Sequence, residues 1–236
     1  MGRGHELDET NSVDRRTLLH RLVFSIGAVI LYGPVLKANY VIGSGADARV
    51  SLGVLFEIIL AISNIGTAVV LFPILKRQSE SVSLGYVSSR VLESTIIMVG
   101  AISLLSVVTA RQDFAKAAGA DTILFVTVGK SLIAIHKWTF LIGPAFCAAF
   151  GNGILLGYLM YRSSLVPRPW AVLGLVAGCL LIASDIAVLL EAYEQTSTFS
   201  GLTTAPQFVW EGFLAIYLTF WGFSPSPILG DARSVA

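Results

Sequence analysis

Residues Ile135 to Trp170 read IHKWTFLIGPAFCAAFGNGILLGYLMYRSSLVPRPW. Between Trp138 and Met160 lie 23 consecutive uncharged residues, about 34 Å of helix at the usual rise per residue. The hydrocarbon core of a bilayer is about 30 Å thick, so this run has the length of a membrane crossing. His136 and Lys137 stand at one end of it, Arg162 and Arg168 at the other. Inside it, Gly143-Pro144 predicts a bend, because proline removes a backbone donor. Gly153 and Gly157 form a G-x-x-x-G pair, which lets a second helix approach closely.

The whole chain obeys the same solvent. Of its 236 residues 55% are hydrophobic and only 13% charged, against about 25% charged in an ordinary soluble domain. The mean hydropathy is +0.76. A soluble domain of this composition lacks the polar residues to cover its surface. The net charge of +1 and the absence of a long basic run exclude a nucleic-acid partner. Cys147 and Cys179 both fall in apolar runs and read as reduced, buried thiols rather than a disulfide framework.

Hydropathy divides the chain into an all-α bundle of about six transmembrane helices. Residues 1–21 form a polar N-terminal tail, 22–224 the transmembrane domain, and 225–236 a short C-terminal tail. The expected spans are Leu22–Ile42, Val50–Leu75, Tyr86–Ala110, Trp138–Met160, Trp170–Leu190 and Gln207–Phe223. Thr122–Ile135 is apolar apart from Lys130 and too short to cross alone, so it reads as an extension of the fourth span or a re-entrant segment. Gly174 and Gly178 give the fifth span a second G-x-x-x-G face. Such faces also suit a homo-oligomer.

Arginine and lysine in loops set orientation. With the N-terminus inside, the inner side holds Arg3, Arg15, Arg16, Arg21, Lys76, Arg77, Arg162, Arg168 and Arg233. The outer side holds Lys37, Arg49, Arg111 and Lys116. That imbalance places both termini in the cytoplasm of a multi-pass cell-membrane protein.

LLGYLMYRSSLVPR (Leu155 to Arg168), with His136 upstream, resembles a family of bacterial integral membrane proteins catalogued as domain of unknown function 4386. SRVLES (Ser89 to Ser94) is similar to that family's Arg-x-x-Glu pattern at the head of a middle span. WEGFLAIYLTFWGF (Trp210 to Phe223) is similar to its last span. The resemblance covers about residues 20–225 and implies a bacterial inner-membrane protein; it implies no activity.

Ionisable residues within spans cost roughly 2.5–3.5 kcal/mol each near the centre and mark candidate sites. Turn-by-turn counting puts Glu57, Asp185 and Glu211 toward the outer ends of three spans, with His136 opening a fourth on that side. Carboxylates and an imidazole gathered there would line a pocket that binds a small solute or cation, or relays protons. The same residues can also reach the headgroups from their span ends. Counting fixes depth and leaves facing open. Arg90 and Glu93, three apart on one helix face, read as a structural ion pair on the inner half.

Enzyme classes find little. A bis-histidine haem needs two intramembrane histidines, and only His136 is available, since His5 and His20 lie in the tail. A zinc site from His136 and the acids has no H-E-x-x-H-like spacing behind it, and no G-x-S-x-G, P-loop or Rossmann fingerprint is present. No cofactor is expected. The leading reading is a membrane protein that binds or moves a small solute or ion. A non-catalytic scaffold and a membrane-embedded metal-dependent hydrolase are the alternatives.

Overall fold

The computed structural model describes residues 27–37, 39–43, 45–117 and 121–230. The expected N-terminal tail at 1–21 and the end of the C-terminal tail at 231–236 lie outside them. Among the described residues all regular structure is helical. Helix α1 is Gly27–Leu36 and closes in a tight turn at Gly33–Leu36. It is followed by α2 Asp47–Leu75, α3 Glu80–Lys116, α4 Thr122–Ser163, α5 Arg168–Leu189, α6 Thr198–Phe220 and the short α7 Pro227–Gly230.

Local chemistry sets the boundaries. The Asp121 carboxylate accepts from the Ile123 and Leu124 amides at 2.9 and 3.2 Å, capping the start of α4. Ser197 does the same for α6 through the Ser200 amide at 3.2 Å. α4 stops where Ser164 turns left-handed at φ 56°, and α5 stops before Glu191 at φ 59°. Inside α4 the backbone widens over Leu141–Cys147 and Ala149–Leu156. The Ala148 N–H reaches back five residues to the Gly143 carbonyl. Pro144 supplies the cause, because it offers no donor to the ordinary ladder.

Four helices, α2, α3, α4 and α5, are long and apolar enough to cross a membrane. Their outward faces carry large apolar side chains such as Ile62, Ile102 and Val176, respectively 66%, 60% and 58% exposed. Water would not tolerate such a surface, and lipid does. The expected count of six is not reached among the described residues. α1 is short where it is described, and α6 carries Ser200, Thr203, Thr204, Gln207 and Glu211, which lower its hydropathy. The region 122–135 is no separate element: it is the first part of one continuous α4. His136 therefore sits well inside α4 and does not open it. Lys130 and Lys137, which break the apolar run in sequence, are both exposed on the outside of that helix.

Successive helices run antiparallel, as their contacts show. Asn64 meets Glu93 between α2 and α3, Ser89 meets Cys147 between α3 and α4, and Ser184 meets Thr203 between α5 and α6. One end of the bundle thus carries the 190–197 connection, and the other carries Lys76–Ser79. Two apolar clusters fill it unequally. At the Lys76 end, Leu71, Leu75, Tyr86, Met160, Leu165, Trp210 and Leu214 pack α2 to α6 together. At the other end, Tyr32, Val35, Val50, Val54, Leu104, Val107 and Ile133 pack only α1 to α4. Tyr40 donates to Asp47 there at 2.8 Å. Arg111 pairs with Asp47 through two hydrogen bonds, the one from Nε at 2.6 Å.

The small-residue faces of α4 and α5 meet each other. A Cβ on Gly153 would lie 2.5 Å from the Gly178 Cα, and one on Gly157 would lie 3.1 Å from the Leu175 nitrogen. Gly174 makes room for the Trp210 indole of α6, whose Cε2 would be 2.5 Å from an added Cβ. Both faces are used up within one chain, so contact between copies would need other surfaces.

Candidate functional site

Where the second apolar cluster leaves α5 and α6 uncovered, the bundle is hollow. A cavity of about 360 Å³ lies between α2, α3, the widened part of α4, α5 and α6. Gln195, Thr196 and Ser197 of the 190–197 connection form its rim. Asp185, Glu93 and Glu211 line it, with Asn64, Gln207 and Thr204. Its remaining wall is apolar and includes Leu60, Ile97, Phe140, Pro144, Leu181 and Phe208.

Each acid is held differently. Glu93 accepts from Arg90 at one oxygen, a close ion pair, and from Asn64 Nδ2 at the other at 3.1 Å. Arg90 is fully buried, and its Nε and second terminal nitrogen have no hydrogen-bond partner. Glu211 Oε1 accepts two amide donors, Asn152 Nδ2 and Gln207 Nε2, both at 3.0 Å. Asp185 is buried at 4% exposure, and its Oδ2 takes no donor. Beside it Tyr193 donates to the Ser184 hydroxyl at 2.7 Å, and Thr203 bonds the same oxygen at 2.8 Å, tying the rim to α5 and α6.

Those amide orientations have a consequence. Asn64 and Gln207 each spend their NH₂ on a carboxylate. Their carbonyl oxygens are therefore turned away, and both are buried without a donor. On its lining residues Asn64 Oδ1, Gln207 Oε1 and Asp185 Oδ2 are buried acceptors without donors, Gln207 Oε1 lying against Gly153, and no basic side chain lines the cavity.

Asp185 and Glu211 share the cavity, while Glu57 and His136 do not reach it. They meet Tyr32 instead, inside the α1–α4 cluster. The Tyr32 hydroxyl bonds the Glu57 side chain. Its ring stands edge-on to the His136 imidazole, with centroids 5.0 Å apart and planes at 80°. His136 Nδ1 and Glu57 Oε2 have no hydrogen-bond partner. Among the described residues no three His, Cys, Asp or Glu side chains gather as metal ligands do.

The cavity also uses residues that charge counting passes over. Asn64 and Gln207 are neutral amides. Gln207 stands one helical turn before Glu211, a spacing that puts both on one face. Glu93 reads in sequence only as Arg90's partner, yet it lines the cavity wall.

The family model described as Domain of unknown function (DUF4386) matches residues 17–222. The chain belongs to that family. The DUF4386 match takes in every residue of the cavity and both small-residue faces, and agrees with the resemblance carried by Leu155 to Arg168. No curated protein and no solved structure matches the chain. DUF4386 membership therefore fixes the family without bringing an activity with it.

Proposed function

We propose that this chain is a six-crossing bacterial inner-membrane protein with both termini cytoplasmic, which binds a small solute or ion in a cavity open to the outer face. One observation carries the reading. Asp185 and Glu211, on different helices, line a single cavity, and every buried side-chain atom of its lining residues that lacks a hydrogen-bond partner is an acceptor. Leaving such groups unpaired costs about 1–3 kcal/mol each, a cost that a bound partner removes. In this reading the apolar sequence run Leu22–Ile42 and α6, at 23 residues, are the fifth and sixth crossings. The arginine-lysine imbalance makes the 190–197 end the outer one.

Purified protein in detergent tests this. A binding solute raises the unfolding temperature in proportion to its occupancy. At least one class among amines, inorganic cations, amino acids, carboxylates and sugars should do so, and Asp185→Asn should reduce the shift. Stabilisation unchanged in Asp185→Asn, or none from any class, rejects the reading. The scaffold alternative must work through faces other than the two glycine faces. Among the described residues the hydrolase alternative finds no group of three His, Cys, Asp or Glu side chains.

A further inference from the structure

The two unpaired acids of the cavity sit at different depths. Asp185 lies four residues before the end of α5 at Leu189, and Glu211 thirteen residues after the start of α6 at Thr198. Both helix ends are at the 190–197 rim. At the standard helical rise the two levels are separated by roughly 14 Å.

The wall between the levels is mainly apolar, broken by Thr204 and Gln207 of α6. Leu181 is one turn below Asp185 on α5. Phe208 is one turn above Glu211 on α6. Ile97 is one turn above Glu93 on α3. All three line the cavity, each on the side of its acid that faces the other level. The cavity is thus acidic at the rim, mainly apolar at the waist apart from Thr204 and Gln207, and acidic at the floor.

Charge is unbalanced at both ends. Arg90 neutralises Glu93. Neither Asp185 nor Glu211 forms an ion pair with a described residue, and no basic residue lines the cavity. Both hydrogen bonds to Glu211 fall on Oε1, which leaves Oε2 for a ligand. Asp185, at 4% exposure, lines the cavity with no side-chain donor at Oδ2. The missing partner therefore brings donors and positive charge and no acceptors. A single metal ion does not fit that description, because the acids do not gather and the space holds far more than one ion.

We propose that the cavity takes an elongated organic dication, an alkyl diammonium with one cationic end at Asp185 and the other at Glu211. This rests on the solute-binding reading above and names its ligand class. Each ammonium offers three donors. The inner one meets Glu211 at Oε2, the oxygen left free by Asn152 and Gln207. The outer one meets the Asp185 carboxylate at the rim. The methylene chain crosses the waist of Leu181, Ile97 and Phe208.

The test is isothermal titration of the full-length protein in detergent with the unbranched diamines from diaminopropane to diaminooctane, alongside hexylamine, hexanoate, glucose, sodium and potassium. Affinity should pass through an optimum with chain length. At that optimum the diamine should bind at least about tenfold more tightly than hexylamine. Asp185→Asn should bring the diamine down to the level of hexylamine, and Glu211→Gln should weaken both. The length series on the unaltered protein decides the matter if either variant fails to fold. Equal binding of hexylamine and the diamines overturns the dication and leaves a site for single cations. Binding of hexanoate, glucose or a metal cation with no amine binding overturns the inference and leaves the solute-binding reading standing. No binding by any of them to folded, monodisperse protein overturns the inference. The broader class panel proposed above then judges the solute-binding reading independently.

Discussion

Gly153 and Gly178 touch backbone to backbone. A Cβ on Gly178 would stand 2.9 Å from the Gly153 Cα and 2.7 Å from the Ala149 carbonyl oxygen. Those atoms belong to the main chain of α4 and cannot swing aside as a side-chain tip would. Gly178→Ala should therefore push α5 off α4 and cost about 1–3 kcal/mol, the range for overpacking. Gly66→Ala is the control. Nothing lies within 4 Å of its added Cβ, and helix propensity alone favours the change by up to about 1 kcal/mol. Unfolding titrations in mixed micelles should separate the two, and equal stabilities would refute the tight contact.

The Arg90–Glu93 pair gives a second expectation. Glu93→Ala strands a fully buried guanidinium that already has two nitrogens without partners. Breaking such a pair costs about 3–5 kcal/mol. Arg90→Met with Glu93→Leu removes both charges and should recover much of that loss. A double variant no more stable than the single one would mean that Asn64, and not Arg90, is the partner that matters.

Trp210 links three helices. Its indole N–H donates to the Asn152 carbonyl at 2.9 Å, and its ring lies against Gly174. Trp210→Phe keeps most of the packing and leaves that carbonyl without its donor, for a loss of about 1–3 kcal/mol. Trp210→Ala also opens a hole and should cost about 3–5 kcal/mol. Thermal unfolding measures both, and Phe as damaging as Ala would show that the hydrogen bond outweighs the ring.

Orientation can be read with an impermeant thiol reagent in intact cells, after Cys147→Ala and Cys179→Ala. Glu194→Cys, on the exposed 190–197 connection, should label. Ser79→Cys, at the opposite end, should not. The reverse pattern would invert the protein in its membrane.

Much of the architecture was legible because lipid leaves few choices. Uncharged runs must be helices, and glycines four apart must meet something. The helix limits were harder. Lys130 and Lys137 looked like the end of a span, yet both point outward from α4, where a long aliphatic stem lets the ammonium reach the interface. That outward pointing is why His136 was counted at a mouth and stands in the interior beside Tyr32. Asp185 and Glu211 stood out as intramembrane acids. Their partners did not, since residue counting gives position along a helix and not rotation about it. Glu57 was grouped with them by depth, but it faces α1. Asn64 and Gln207 carry no charge, so the pattern of intramembrane charge alone does not point to them.

Below Glu211 the bundle is shut. Trp210, Leu71, Tyr86 and Leu214 fill the Lys76 end. The void left among Thr67, Asn152 and Glu211 measures about 10 Å³, at the lower limit for one water molecule. A chamber with a single door equilibrates with a single compartment. For anything to pass from the cavity to the Lys76 end, Trp210 and the side chains packed around it would have to move apart.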